Sequence, residues 1–126
     1  MADEDPIEEE DPTEEIVSPL IDSILITTKR LLGIEADYIQ FDPDIVVAIN
    51  SAFTNLQQIG VVPETGFSIT GDSEVWTDFL GDRTDIELVK TYIYLKTRMV
   101  FDPPQTGYLL DAIKSQILEI EWRLNT

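Results

Sequence analysis

The sequence predicts an all-α fold: a small helical bundle of four main helices and one short helix, with an irregular loop or small hairpin around residues 61–72. Three observations predict it. Five segments carry apolar residues at helical spacing, and most are bounded by capping residues, glycine or proline. The one β-type run, Phe67–Thr70, is too short to build a sheet alone. The stretch leading into Thr91–Pro104, TYIYLKTRMVFDPP, is apolar on two sides. At about 100° per residue, Ile86, Val89, Ile93 and Val100 share one face, and Leu88, Tyr92, Leu95 and Met99 fall nearly opposite. A helix apolar on two sides needs cover on two sides. It is therefore read as the central helix, or as one shared between a core and a partner.

The first helix is expected from Pro19 to about Leu32, with Ser18 as N-cap and Gly33 as the left-handed stop. Its buried stripe is Leu20, Ile21, Ile24, Leu25, Leu31 and Leu32, and Lys29-Arg30 suit the negative end of the dipole. Tyr38 and Phe41 lie in the following loop. The second helix opens with Asp42 as cap and Pro43 inside it. Ile45, Val46, Ile49, Ala52, Phe53, Leu56 and Ile59 face inward, Gly60 ends the helix, and Val47 points away from that face. Residues 61–72, VVPETGFSITGD, are rich in breakers. Asp72 or Ser73 is expected to cap a short helix bearing Val75, Trp76, Phe79 and Leu80, closed by Gly81. Thr84 and Glu87 read as a capping box for the central helix, which stops at Asp102-Pro103-Pro104. The last helix spans about Thr106 to Leu124. Leu109, Leu110, Ile113, Ile117, Ile120 and Leu124 form its inner face, and Leu118 and Trp122 lie off it.

The chain has 126 residues, 43% of them hydrophobic, which is enough for one domain with a modest core. Its formal charge of −17 is unevenly placed. Nine of the 25 acids (Asp3, Glu4, Asp5, Glu8, Glu9, Glu10, Asp11, Glu14 and Glu15) stand in residues 1–15, where there is no base. The other 111 residues keep sixteen acids against eight bases, a net of −8. Residues 1–15 are thus read as an acidic N-terminal tail, and 16–126 as the helical domain. The tail is either a solvated segment or one that orders only against a basic surface. An acidic body lacks the clustered Lys and Arg that grip phosphates or anionic membranes. With no signal-peptide pattern and no long apolar run, the chain is expected to be soluble and not secreted.

Histidine and cysteine are both absent. The usual neutral-pH general base, the thiol nucleophile, and zinc sites built on His or Cys are excluded with them. No phosphate-loop or EF-hand pattern appears. Carboxylates remain, as Asp42/Asp44, Asp72/Glu74 and the Asp78, Asp82, Asp85, Glu87 group. Each sits at a helix start or turn, where capping explains it, so no catalytic, cofactor or metal role is expected. Trp76, Phe79, Tyr92, Tyr94 and Trp122 are read as core or protein interface rather than a base-stacking platform, because no bases flank them.

The runs LLGIEADYIQFDPDIVVAINSAFTNLQQIGV, GFSITGDSEVWTDFLGD, VKTYIYLKTRMVFDPP and LEIEWRLN, at residues 31–61, 66–82, 89–104 and 118–125, follow one another within a stretch of about residues 22–125. In this order they resemble the head–tail connector (head-completion adaptor) family of long-tailed phages. The acidic residues 1–15 are not part of that pattern. The resemblance implies a non-enzymatic structural virion protein that forms a ring, usually twelve-fold, below the portal. Such a ring extends the DNA channel, lets duplex DNA pass without specific binding, and docks the next neck, stopper or tail-completion protein. It resides in the virion neck, after assembly in the host cytoplasm. Leu118, Trp122, Tyr94 and Val47 are the expected subunit or partner contacts. The competing reading is an acidic DNA mimic, or an inhibitor or chaperone that binds a basic partner.

Overall fold

The computed structural model describes residues 23–61, 66–80 and 85–125, and five helices run through them. They are α1 (Ile24–Leu32), α2 (Asp42–Gln58), the short α3 (Trp76–Leu80), α4 (Ile86–Phe101) and α5 (Gly107–Leu124). Four long helices and one short one is the predicted architecture. No β-strand forms among the described residues, and their only bridge is an isolated antiparallel pairing of Ser23 with Val75.

That bridge corrects the start of the first helix. Ser23 is extended (φ −67°, ψ 135°), and its hydroxyl accepts the Ile26 N–H at 3.2 Å. The Ile24 N–H, an orphan donor at a helix start, is donated to the Glu74 carbonyl at 3.0 Å. Ser23 is therefore the N-cap of α1, and the expected Ser18, Pro19, Leu20 and Ile21 lie outside the described residues. Gly33 ends the helix as expected at φ 85°, its N–H donating back to Arg30.

The burial of α1 departs from a simple stripe. Every residue from Ile24 to Lys29 is buried, whereas Leu31 is exposed. Burial all round is tolerated because the polar members find partners. The hydroxyls of Thr27 and Thr28 donate to the Ser23 and Ile24 carbonyls at 2.7 and 2.9 Å. The Trp76 indole N–H adds a bond to Thr27 Oγ1 at 3.2 Å, locking α3 onto α1.

Two other caps differ from the sequence reading. Asp42 is the first residue of α2, not its cap, because its carboxylate is turned to Lys29 at 2.8 Å. Asp85, not Thr84, precedes α4, and Glu87 reaches forward to Lys90 at 3.8 Å instead of back to a cap. Thr84 and Gly81 lie outside the described residues. At α5 the expectation holds: Thr106 is the N-cap and accepts the Leu109 N–H at 3.3 Å.

Residues 66–75 cross the bundle as extended chain and turn, with no hairpin; residues 62–65 lie outside the described set. The Asn50 side chain supplies what a neighbouring strand would. It accepts the Ile69 N–H at 2.7 Å and donates to the Ile69 carbonyl at 2.9 Å, so Ile69 enters the core with its backbone satisfied. Glu74 closes the turn by accepting the Thr70 N–H and hydroxyl and the Gly71 N–H. Asp78 accepts the Val75 N–H at 3.0 Å, a capping task assigned from sequence to Asp72 or Ser73.

The core lies where α4 meets α1, α2 and α5. Phe53, Phe67 and Phe79 form a ring cluster with centroids 4.8–5.3 Å apart, beside fully buried Trp76 and Tyr92. Both apolar sides of α4 are used. Val89 and Ile93 are buried on one side, and Tyr92 and Leu95 on the other. Val100, expected to share the first face, is left exposed in the last turn of α4.

Candidate functional site

Helix α5 packs chiefly on α4, so only one narrow seam of it is covered: Ile113, Ile117, Ile120 and Leu124. The seam begins a full turn into the helix. Leu109, expected inside, is exposed, and Leu110 is half-buried. The outward side of α5 keeps Leu118 and Trp122, one turn apart, in solvent.

Across the molecule Val47 on α2, Val100 on α4, Leu118 and Trp122 are 69%, 70%, 65% and 71% exposed. Two grooves connect three of them. One, of about 460 Å³, is lined by Phe41, Asp44, Val47, Val100 and Phe101. The other, of about 390 Å³, lies between α4 and α5; Met99, Val100, Ile117 and Leu118 form its apolar wall. Val100 belongs to both, so Val47 and Leu118 are joined into one apolar strip that the sequence could not foresee. Phe41 and Phe101, packed edge-to-face at 5.2 Å, support its α2 end. Isolated exposed apolar residues are ordinary on a protein surface; a contiguous strip marks a contact site.

Tyr94 is placed differently from the other three expected contacts. It is half-buried against the core, and its hydroxyl accepts a long bond, 3.4 Å, from Arg98. It lines neither groove. Val100 was missed as a surface residue, because its spacing fits a buried face of α4. The Asp102-Pro103-Pro104 stop, which places Val100 in the last turn of α4, was the available signal.

The strip is electrically mixed at its α5 end. Lys96 and Lys114 flank the α4–α5 groove, with Glu121 beside them. The Glu121 carboxylate accepts the Tyr92 hydroxyl at 2.7 Å. Burial, then the Glu121 hydrogen bond and charge, push the Tyr92 phenol far above its ordinary value, outweighing a contrary bond from Asn55. Tyr92 stays neutral and holds α4 to α5. For Glu74, burial is the largest single influence and would raise its carboxyl. The Thr70 hydroxyl and surrounding backbone N–H donors outweigh it and hold the carboxyl below 4.5.

The remaining candidates are not gathered into a site. Asp42 is bound to Lys29, Glu74 and Asp78 close local turns, and Glu87 pairs with Lys90 at the surface. Asp82 lies outside the described residues. Among the described residues no group of three or more His, Cys, Asp or Glu is placed to hold a metal ion. Trp76, Phe79 and Tyr92 are core residues while Trp122 stands in solvent, so these aromatics form no common platform. No described helix is long and apolar enough to cross a membrane.

The family model described as phage connector protein matches residues 24–126. The match begins at the first residue of α1 and excludes the acidic residues 1–15. No curated protein and no solved structure matches the chain.

Proposed function

Because the chain belongs to the phage connector family, which its residues 24–126 match, we propose that it is a ring-forming adaptor seated between the portal and the next neck protein. The observation that carries this reading is the exposed apolar strip through Val47, Val100 and Leu118, with exposed Trp122 one turn beyond Leu118 on α5. A ring of identical subunits needs two different, complementary faces on each copy. The α5 side, with Leu118 and Trp122, supplies one. The groove around Val47 and Phe41 supplies a concave surface for the other. Tyr94, half-buried and bonded to Arg98, remains in the proposed contact set through the part of its side chain that stays open to solvent.

The net negative charge of the chain suits a channel wall past which DNA must slide. Like charges repel the duplex instead of binding it, which keeps it mobile. The ring, expected to be twelve-fold, assembles on the portal in the host cytoplasm and stays in the virion neck.

Light scattering on the purified chain, alone and mixed with portal, tests the reading. A ring, or stoichiometric binding to portal, is the expected result. A chain that stays monomeric, ignores portal and captures a basic protein instead would overturn it in favour of the acidic mimic.

A further inference from the structure

The acidic residues 3–15 have no place in the connector reading, and the α4–α5 groove is the part of the surface suited to receive them. Among the described residues Lys29, Lys90 and Arg123 are ion-paired, and Arg98 is bonded to the Tyr94 hydroxyl. Arg30, Lys96 and Lys114 have no carboxylate partner there. The last two flank one groove, whose wall of Met99, Val100, Ile117 and Leu118 is apolar. The carboxylate in that groove, Glu121, is occupied by the Tyr92 hydroxyl at 2.7 Å. Lys96 is further oriented over the Tyr92 ring, 5.9 Å from its centroid. The groove thus offers two ammonium groups above a hydrophobic floor.

Residues 7–17, IEEEDPTEEIV, present the complement: six carboxylates between Ile7 at one end and Ile16-Val17 at the other. Elsewhere the acidic body repels such a segment. The far residues of the segment have the length: Glu8 stands fifteen residues before Ser23, about 50 Å of extended chain, against about 55 Å for the longest path over the surface of a domain this size. Tethering raises the local concentration of the segment to about the millimolar range, which favours its own subunit over other copies in dilute solution.

We propose that the α4–α5 groove binds the chain's own acidic segment, with carboxylates of residues 8–15 on Lys96 and Lys114 and the flanking apolar residues on Met99, Ile117 and Leu118. In the isolated subunit the segment covers Leu118. If the connector reading holds, a neighbouring subunit or the portal has to displace it to reach that end of the strip.

The test uses the full chain, whose lack of cysteine allows a single spin label at Pro12→Cys with all nine tail carboxylates kept. The methyl signals of Met99, Val100, Ile117 and Leu118 are expected to be lost by paramagnetic broadening and to return at about 1 M salt, where the Debye length is about 3 Å. They are also expected to return in a Lys96→Glu, Lys114→Glu variant whose remaining methyl spectrum is native. Unbroadened groove methyls, or broadening indifferent to both salt and charge reversal, would overturn the proposal. Mixing spin-labelled copies lacking isotope with isotope-labelled copies lacking spin label should leave the methyls sharp. Broadening in that mixture would overturn docking within one copy. Portal binding is measured separately, so a chain whose segment docks but which ignores portal would refute only the connector reading.

Discussion

The Lys29 ammonium stands 2.8 Å from the Asp42 carboxylate, in a side chain with no solvent exposure at all. It also donates to the Ala36 and Tyr38 carbonyls at 3.1 and 2.8 Å. One buried cation therefore ties the end of α1, the loop after it and the first turn of α2. A buried charge is tolerated only where it is paired and its donors are filled, and here both conditions are met. The loop it holds ends in Phe41, which packs on Phe101 beneath the apolar strip, so the ammonium also shapes the α2 end of the contact surface.

Lys29→Met is expected to destabilise the fold by about 2–4 kcal/mol, because two carbonyls and a largely buried carboxylate lose their partner together. Urea denaturation measures it. A loss below about 0.5 kcal/mol would show that water replaces the ammonium without cost. The same variant should weaken the Phe41–Phe101 contact, visible as shifted aromatic proton signals.

Asn50→Ala removes both hydrogen bonds to Ile69, whose backbone is otherwise carried by no strand partner. The expected cost is about 2–3 kcal/mol, and the Ile69 amide should exchange with solvent far faster than in the parent. Asn50→Asp keeps the acceptor but loses the donor, and should fall between the two. Unchanged amide protection in Asn50→Ala would mean that the clamp contributes nothing to holding residues 66–70.

Stability should fall at alkaline pH through Tyr92. Its folded-state value lies far above the ordinary 10.0, so the folded chain keeps a proton that the unfolded chain releases. The stabilisation is complete below pH 10 and is lost progressively above it. Tyr92→Phe should cost about 1 kcal/mol near neutrality and flatten this alkaline slope. Glu74 acts in the opposite direction. With its value held below 4.5, its contribution is present above that pH and is lost as the pH falls through the lowered value. This contribution is small, since the carboxylate is largely open to solvent.

Trp122→Ala, Val100→Ser and Val47→Ser, made singly at exposed positions, should leave monomer stability within about 0.5 kcal/mol. Each should raise the concentration at which rings form by at least about tenfold, with Trp122 the most sensitive, since buried aromatics dominate interface energies. Circular dichroism and light scattering together decide it. Rings that form at the parent's concentration in all three would remove the strip from the subunit contact.

Much of the fold was legible in the sequence, and particular residues show why. Gly33, Gly60, the Thr106 cap and the Asp102-Pro103-Pro104 stop act through the local backbone, so they mark helix ends whatever surrounds them. Leu118 and Trp122 were legible as surface because they leave a clear apolar seam on α5. Ser23 was not legible as a cap, since its extended backbone is stabilised by Val75, more than fifty residues away.

By itself, the sequence determined that this chain is helical, where most helices stop, which faces are apolar, and which family it resembles. Those properties depend on each residue and its near neighbours, and on the order of motifs along the chain. The tertiary structure alone decided which apolar faces receive cover. It left Val100 and Leu109 outside, took Lys29 inside, and joined Val47 to Leu118 through Val100. Periodicity records that a side chain is greasy or charged; only packing brings the carbonyls that admit a lysine, or withholds the neighbour that would have hidden a valine.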